Sequence, residues 1–336
     1  MRSSVILAFM ALAGCGPTSD DATIDAGLGG HLREDASAAE AAAPIDQGPP
    51  PTGKLVIYAH TDTKLFKADP TVQPVSLTFV GTFDCVGGTG QDPSMTDLAV
   101  TRDGNLFGIS GTAVYPLTVT GSTVHCASTW KLPAGAQYYG LTFAPAGVLG
   151  AAEMLVAANS AGELWAIDTQ GQTTQVGTFG AVPANDGRGH TYKSTNVGKA
   201  WELSGDIVFL ANGGSPIGFA TVRDCPSPPA SSNCNTVDTL VEINVPALAL
   251  GNQSSVTKSV RGQVVKGAGC ADAANQGYGS MYGIVAWNDK VYGFSRAGNF
   301  VAISNVDGSA CLVANYASDK FAGAGVTTLA PVIGPD

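Results

Sequence analysis

The sequence predicts an all-β fold: a five-bladed β-propeller whose C-terminal strand completes the first blade. Three observations carry this. One short pattern recurs, in Thr96-Asp97-Leu98-Ala99-Val100, Tyr139-Gly140-Leu141-Thr142-Phe143, Trp201-Glu202-Leu203-Ser204-Gly205, Tyr282-Gly283-Ile284-Val285-Ala286 and Thr327-Thr328-Leu329-Ala330-Pro331, with an aliphatic residue always third. Repetition of this kind marks an array of like units rather than one irregular sheet. Further strand-like runs follow each copy but the last, separated by tight-turn residues. Finally, the domain opens on a second-type strand and ends on a lone first-type strand, so joining the two ends closes the ring and removes exposed sheet edges.

Each element follows from the same logic. The copies above are the first, inner strands. Second strands are expected at Leu55–Ala59, Leu106–Ser110, Met154–Ala158, Ile207–Ala211 and Val291–Ser295. Third strands are expected at Leu65–Ala68, Val114–Leu117, Leu164–Ile167, Leu240–Ile243 and Phe300–Ile303, each starting and ending on an apolar residue. Pro116 suits an edge or a bulge better than a strand centre. Outer strands are expected near Ser76–Phe83, Val124–Leu132, Thr173–Phe179, Ser254–Val260 and Cys311–Ala317. Asp103-Gly104, Gly205-Asp206, Asn288-Asp289, Ala161-Gly162 and Ala297-Gly298 supply turn chemistry between them. The closing strand is expected at Val326–Val332. Residues 212–238, with Pro216, Pro226, Pro228 and Pro229, read as an insertion in which a sixth, degenerate blade could hide.

The N-terminus is a processing signal and stands apart from the fold. Met1-Arg2 is a short positive start, and Val5–Leu12 is an apolar run well under the ~20 residues of a membrane-spanning helix. It ends in Leu12-Ala13-Gly14-Cys15, which resembles the bacterial lipobox. The resemblance implies a signal peptide over 1–14 and lipidation of Cys15, which becomes the first residue and anchors the chain to a membrane. An ordinary secretory signal that happens to hold a cysteine is the alternative. Gly16 in place of an aspartate leans towards the outer membrane of a cell envelope, on its periplasmic or surface side. Residues 15–53 then form a tether. It holds Asp20, Asp21, Asp25, Glu34, Asp35, Glu40 and Asp46 against a single base, Arg33, and has too little apolar surface to order itself. The propeller occupies 54–336.

Charged residues are 13% of the chain and the net charge is −10. With no basic patch or basic-aromatic stripe, nucleic acid is excluded as a partner, because its binding depends on neutralising phosphates. Six cysteines remain beyond Cys15. Cys85 and Cys126 are 41 residues apart, as are Cys270 and Cys311. The two windows match internally as well, Asn105-Leu106-Phe107-Gly108 standing opposite Lys290-Val291-Tyr292-Gly293. Disulfides Cys85–Cys126 and Cys270–Cys311 are therefore expected as equivalent bonds, leaving Cys225–Cys234 to close a small loop. A metal-thiolate site is not expected, since Cys-x-x-Cys is absent and His31, His60, His125 and His190 are scattered.

Chemistry would sit on the inner strands that line the channel. The second position of the repeat carries Asp97, Gly140, Glu202, Gly283 and Thr328; the first includes Tyr139, Trp201 and Tyr282. Two carboxylates with aromatic rings are what a sugar site uses, and also what a calcium-lined funnel uses. A structural reading has the two acids capping turns or accepting backbone N–H groups. Other candidates are the polar loop Asp186–Tyr192, the pair His60 and Asp62, and a partner-binding role for the stapled 212–238 loop. Asn252-Gln253-Ser254 matches a glycosylation sequon, without meaning for an envelope lipoprotein.

On these elements the domain broadly resembles NHL, Kelch and TolB-like propellers, and at fold level the five-bladed glycosidases. The resemblance implies architecture and transfers no functional residue. Three functions remain open. One is a non-enzymatic binding or scaffold module with a protein or carbohydrate partner. Another is a carbohydrate-active hydrolase using Asp97 and Glu202. The third is a purely structural envelope component.

Overall fold

The computed structural model describes residues 56–225, 233–273, 276–288 and 290–331. The signal peptide, Cys15 and the tether lie outside the described residues. Among the described residues, short apolar runs between glycine- and asparagine-bearing turns give twenty-one strands, a 3-10 turn at Asn212–Gly214 and one short α-helix, Val245–Leu250, whose start is capped by Asn244 Oδ1 accepting the Ala247 N–H at 3.1 Å.

Among the described residues the strands group into four-stranded antiparallel units. The first holds β1 (Ile57–Thr61), β2 (Lys64–Ala68) and β3 (Thr78–Phe83). The second holds β4 (Met95–Val100), β5 (Leu106–Ser110), β6 (Ala113–Thr120) and β7 (Thr123–Cys126), with the short β8 (Trp130–Lys131) beside β6. The third is β9 (Tyr138–Ala144), β10 (Met154–Asn159), β11 (Glu163–Ile167) and β12 (Thr173–Thr178). The fourth is β13 (Glu202–Leu210), β14 (Ile217–Arg223), β15 (Thr239–Ile243) and β16 (Thr257–Gln263). The fifth is β17 (Met281–Trp287), β18 (Lys290–Ser295), β19 (Asn299–Ser304) and β20 (Ala310–Asn315). The last strand, β21 (Phe321–Gly325), pairs antiparallel with β1, with Ala59 opposite Ala324, and so supplies the first unit's inner strand.

The fold is a β-propeller. Its inner strands pack around one axis in the order β4, β9, β13, β17, β21 and back to β4. The two ends of the domain are thus held together by a β-ladder rather than a covalent link. The outer strands of the first two units are also joined, by the parallel pairing of β3 with β7.

Apolar side chains pack between the units. Phe294 stacks on Phe300 at 4.5 Å and meets Phe321 edge-on at 5.1 Å, coupling the fifth unit to the closing strand. Met95 and Met281 lie over Gly108 and Gly293, where a side chain would leave them no room.

All three expected disulfides form. Cys85 and Cys270 sit on the segments leaving the first and fourth units; Cys126 and Cys311 sit on the outermost strands of the units that follow. The matched spacing therefore reflects matched positions.

Two expected elements shift. Residues 207–211 are not a second strand, because β13 runs unbroken from Glu202 to Leu210 as the inner strand of the fourth unit, buried at every position. Its partner β14 (Ile217–Arg223) lies inside the stretch expected to be an insertion. A wide bulge in β13, with Leu203 opposite Val222 and Ile207 opposite Ala220, absorbs the extra residues and displaces the repeat. The closing strand is β21 rather than 326–332, and Thr328 lies beyond it in a turn. No helix among the described residues is long and apolar enough to cross a membrane.

Candidate functional site

Registering the inner strands on their ladders realigns the repeat. Leu98 pairs with Gly108, Leu141 with Ala157, Ile207 with Ala220, Ile284 with Gly293 and Ala324 with Ala59. The residue before each is Asp97, Gly140, Asp206, Gly283 and Gly323. The counterpart of Asp97 is therefore Asp206, not Glu202.

This ring of two aspartates and three glycines fills the axis. Asp97 is fully buried; its Oδ2 accepts the Leu141 N–H at 2.6 Å and its Oδ1 the Ala324 N–H at 3.1 Å. Both donors sit on the inner strands flanking β4, so one carboxyl ties three units. Asp206, equally buried, repeats the device: its Oδ2 accepts the Ile284 N–H at 2.7 Å and its Oδ1 the Ile207 N–H at 2.5 Å. The two carboxyls are hydrogen-bonded to each other. Burial first, and then the neighbouring Asp206 carboxylate, raise the pKa of Asp97 well above the ordinary aspartate range; burial raises Asp206 to about 8. Near neutrality the pair holds a proton between its members, as like charges at close range require. The glycines make room. A Cβ on Gly323 would overlap the His60 ring and Asp97, and one on Gly283 would overlap the β21 backbone.

Asp97 thus does not open onto a funnel. Both its oxygens accept backbone donors, as the structural reading of the acids expected, and its complete burial keeps it out of the channel. A third buried acid, Asp238, works likewise, accepting from the Ser204 hydroxyl at 2.6 Å and the Met281 N–H at 2.7 Å. His60 does not pair with Asp62. Its Nδ1 donates to the Thr61 carbonyl at 2.8 Å, and burial lowers its pKa to about 4, so it is neutral.

The channel mouth, where the inner strands begin, is different. A cavity of about 240 Å³ is lined there by Asp62, Tyr139, Ser204, Arg223, Tyr282 and Arg296. Tyr139 and Tyr282 come from the expected first position of the repeat and are half-buried. Trp201 is not with them: it is 1% exposed and packs edge-on to Tyr192 at 5.0 Å, because the bulge in β13 carries it away from the axis. Arg223, at the end of β14, forks onto Glu202 with two contacts of 3.2 Å. Burial raises the pKa of Glu202, and the guanidinium pulls it back. Arg296 forks onto Asp62 with two contacts of 2.7 Å. Sequence reasoning missed both arginines: Arg223 ends β14 and Arg296 lies in the turn after β18, places that the inner-strand pattern does not cover.

Beside this cavity runs an open groove of about 1050 Å³, whose lining includes Asp92, Thr112, Lys131, Gln137, Tyr139 and Glu202. The cavity and the groove share Tyr139.

Residues 226–232 of the stapled 212–238 loop lie outside the described residues, whereas the Asp186–Tyr192 loop is held by internal hydrogen bonds. In the Asp186–Tyr192 loop, buried Asp186 accepts from the Arg188 N–H, the His190 ring and the Gln263 N–H, while Arg188 donates to the Arg261 and Val306 carbonyls. Asp84, Cys85 and Cys126 bring three donor atoms together, but the two sulfurs are bonded to each other and leave no thiolate for a metal.

No protein-family model matches the chain, and no curated protein matches it. Among solved structures 362 chains match. One is a crystal structure of BBS1N in complex with ARL6DN, soaked with mercury, at 10% identity and a TM-score of 0.33, covering 78% of this chain and 66% of that one.

Proposed function

We propose that the protein is a non-enzymatic binding module of the cell envelope: a propeller carried on an acidic tether from a lipidated Cys15 in the outer membrane, taking a polar ligand at its channel mouth. One observation carries the reading. The acids of the axis are consumed in holding the ring together, while the mouth presents tyrosine rings, a serine hydroxyl and two forked arginine–carboxylate pairs around a cavity. The three disulfides fit an oxidising compartment, as export through the signal at 1–14 requires.

The hydrolase alternative needs two carboxyls in one cleft, one of them holding a proton for the leaving group. Asp97 is buried on the axis and Glu202 is neutralised by Arg223, which leaves the pair without that role.

The test is a thermal-shift screen of small polar ligands on the parent and on Tyr282→Trp, whose larger ring fills the cavity. A bound ligand at a hundred times its Kd adds about 2.7 kcal/mol to stability. The reading expects a shift in the parent, its loss in the variant, and recovery of the ligand chemically unchanged. Turnover of the ligand, or a shift that survives Tyr282→Trp, would overturn it.

A further inference from the structure

The lining of the mouth specifies a class of ligand. A free arginine at a cavity invites an anion, but neither arginine here is free. Arg223 spends its Nε and Nη2 on Glu202, and Arg296 its Nη1 and Nη2 on Asp62. Each guanidinium is thereby compensated by a carboxylate at hydrogen-bonding distance, so the lining offers donors and acceptors side by side with no net charge. A guanidinium has five N–H groups, so each arginine keeps N–H groups beyond its fork. An anion would have to displace a forked carboxylate; a hydroxyl would not, since it both donates and accepts.

The other groups suit the same chemistry. Ser204, with Tyr139 and Tyr282, adds hydroxyls, and the two half-buried tyrosine rings add flat apolar faces. Alternating hydroxyls over an apolar face are the surface of a pyranose ring. The sizes agree. The cavity of about 240 Å³ falls below the ~300–1,000 Å³ typical of sites for drug-sized ligands, which is the scale of one ring. The groove of about 1050 Å³ that shares Tyr139 lies just above that range and gives a chain somewhere to go. Its lining continues the polar, charge-mixed character in Asp92, Thr112, Lys131 and Gln137.

We infer that the ligand is a neutral oligosaccharide, its terminal ring seated between Tyr139 and Tyr282 and its chain lying along the groove past Gln137. This rests on the binding role proposed above for the channel mouth.

The experiment is titration calorimetry of the purified full chain with neutral oligosaccharides of increasing length (glucose-, mannose-, xylose- and N-acetylglucosamine-based), with oligogalacturonate as the matched anion. One neutral series should bind, more tightly as rings are added, with little dependence on salt. Tyr282→Ala and Tyr139→Ala should each weaken it about tenfold or more, while Tyr282→Phe, which keeps the ring, should lose less. Gln137→Ala should weaken the longer members and leave the shortest unchanged. Unchanged unfolding midpoints show that the variants are folded. Tighter binding of oligogalacturonate than of any neutral chain, binding indifferent to both tyrosines, or no neutral chain binding at millimolar concentration would each overturn the inference. The binding role fails separately: a different polar ligand lost in Tyr282→Trp would keep it, and cleavage of a bound oligosaccharide would end it while leaving the ligand class intact.

Discussion

Replacing Asp97 by alanine strips two buried backbone N–H groups, those of Leu141 and Ala324, of their acceptor at once. The facing positions, Gly140 and Gly323, offer no side chain in its place, although the Asp206 carboxyl also reaches the Leu141 N–H. Leaving a buried donor unsatisfied costs about 1–3 kcal/mol, so two give roughly 2–6 kcal/mol. Against this stands the relief of Asp206 from its neighbour, which places the net expectation near the lower half of that range. Asp97→Asn keeps one acceptor oxygen but turns an amide N–H₂ towards the other donor, and should lose about half as much. The pH dependence gives a second reading. An aspartate has a pKa of about 3.9 when unfolded, whereas the folded pair titrates far higher, Asp206 at about 8. The folded state therefore holds protons that the unfolded state releases. The pair's contribution is fullest below the unfolded pKa and is lost as the pH rises towards 8, at up to about 1.4 kcal/mol per pH unit for each proton retained. Urea unfolding followed by circular dichroism from pH 5 to pH 8 measures both effects. A variant within ~0.5 kcal/mol of the parent, the range of ordinary surface changes, or a slope unchanged by Asp97→Asn, would refute the reasoning.

Gly323→Ala places a Cβ against His60 and Asp97 and should destabilise by about 1–3 kcal/mol or more; Gly150→Ala, whose Cβ would meet only ordinary van der Waals contacts, is the steric control in the same unfolding experiment. Serine at both Cys270 and Cys311 removes the link closing a 41-residue separation and should lower stability by about 2–4 kcal/mol, with no further loss at that site on adding reductant. Cys15→Ser should abolish incorporation of a labelled fatty acid and release the protein from the membrane fraction; continued labelling would place the anchor elsewhere.

Much of the fold was legible because it is repetitive. Third strands such as Leu164–Ile167 and Phe300–Ile303 carry bulky apolar ends, and the Cys85–Cys126 spacing recurs because it staples equivalent places. The fourth unit misled for a physical reason. A bulge in β13 adds residues between Leu203 and Ile207, so the aliphatic-third pattern fits Leu203 locally while the ladder is set by Ile207. The prolines at 226–229 then made the neighbouring Ile217–Arg223 read as part of a loop. The closing strand Phe321-Ala322-Gly323-Ala324-Gly325 lacks β-branched residues because it packs against Asp97 and His60, where only small residues fit. A signal was present. Asp97-Leu98, Gly140-Leu141, Asp206-Ile207, Gly283-Ile284 and Gly323-Ala324 share an aspartate or glycine before an apolar residue, and that dipeptide follows the axis better than the longer pattern. Of the site, Tyr139 and Tyr282 were visible as first-position aromatics. Arg223 and Arg296 were not: Arg223 meets Glu202 across the β13–β14 ladder that was read as an insertion, and Asp62 lies far from Arg296 in sequence, so only ring closure brings that pair together.

The most direct measurement is a crystal structure of the protein soaked with the tightest-binding neutral oligosaccharide. The account predicts a sugar ring between Tyr139 and Tyr282, within hydrogen-bonding distance of Arg223 or Arg296, with Asp97 and Asp206 still bonded to each other behind it. Sugar bound against Asp97, or nowhere at the channel mouth, would contradict it.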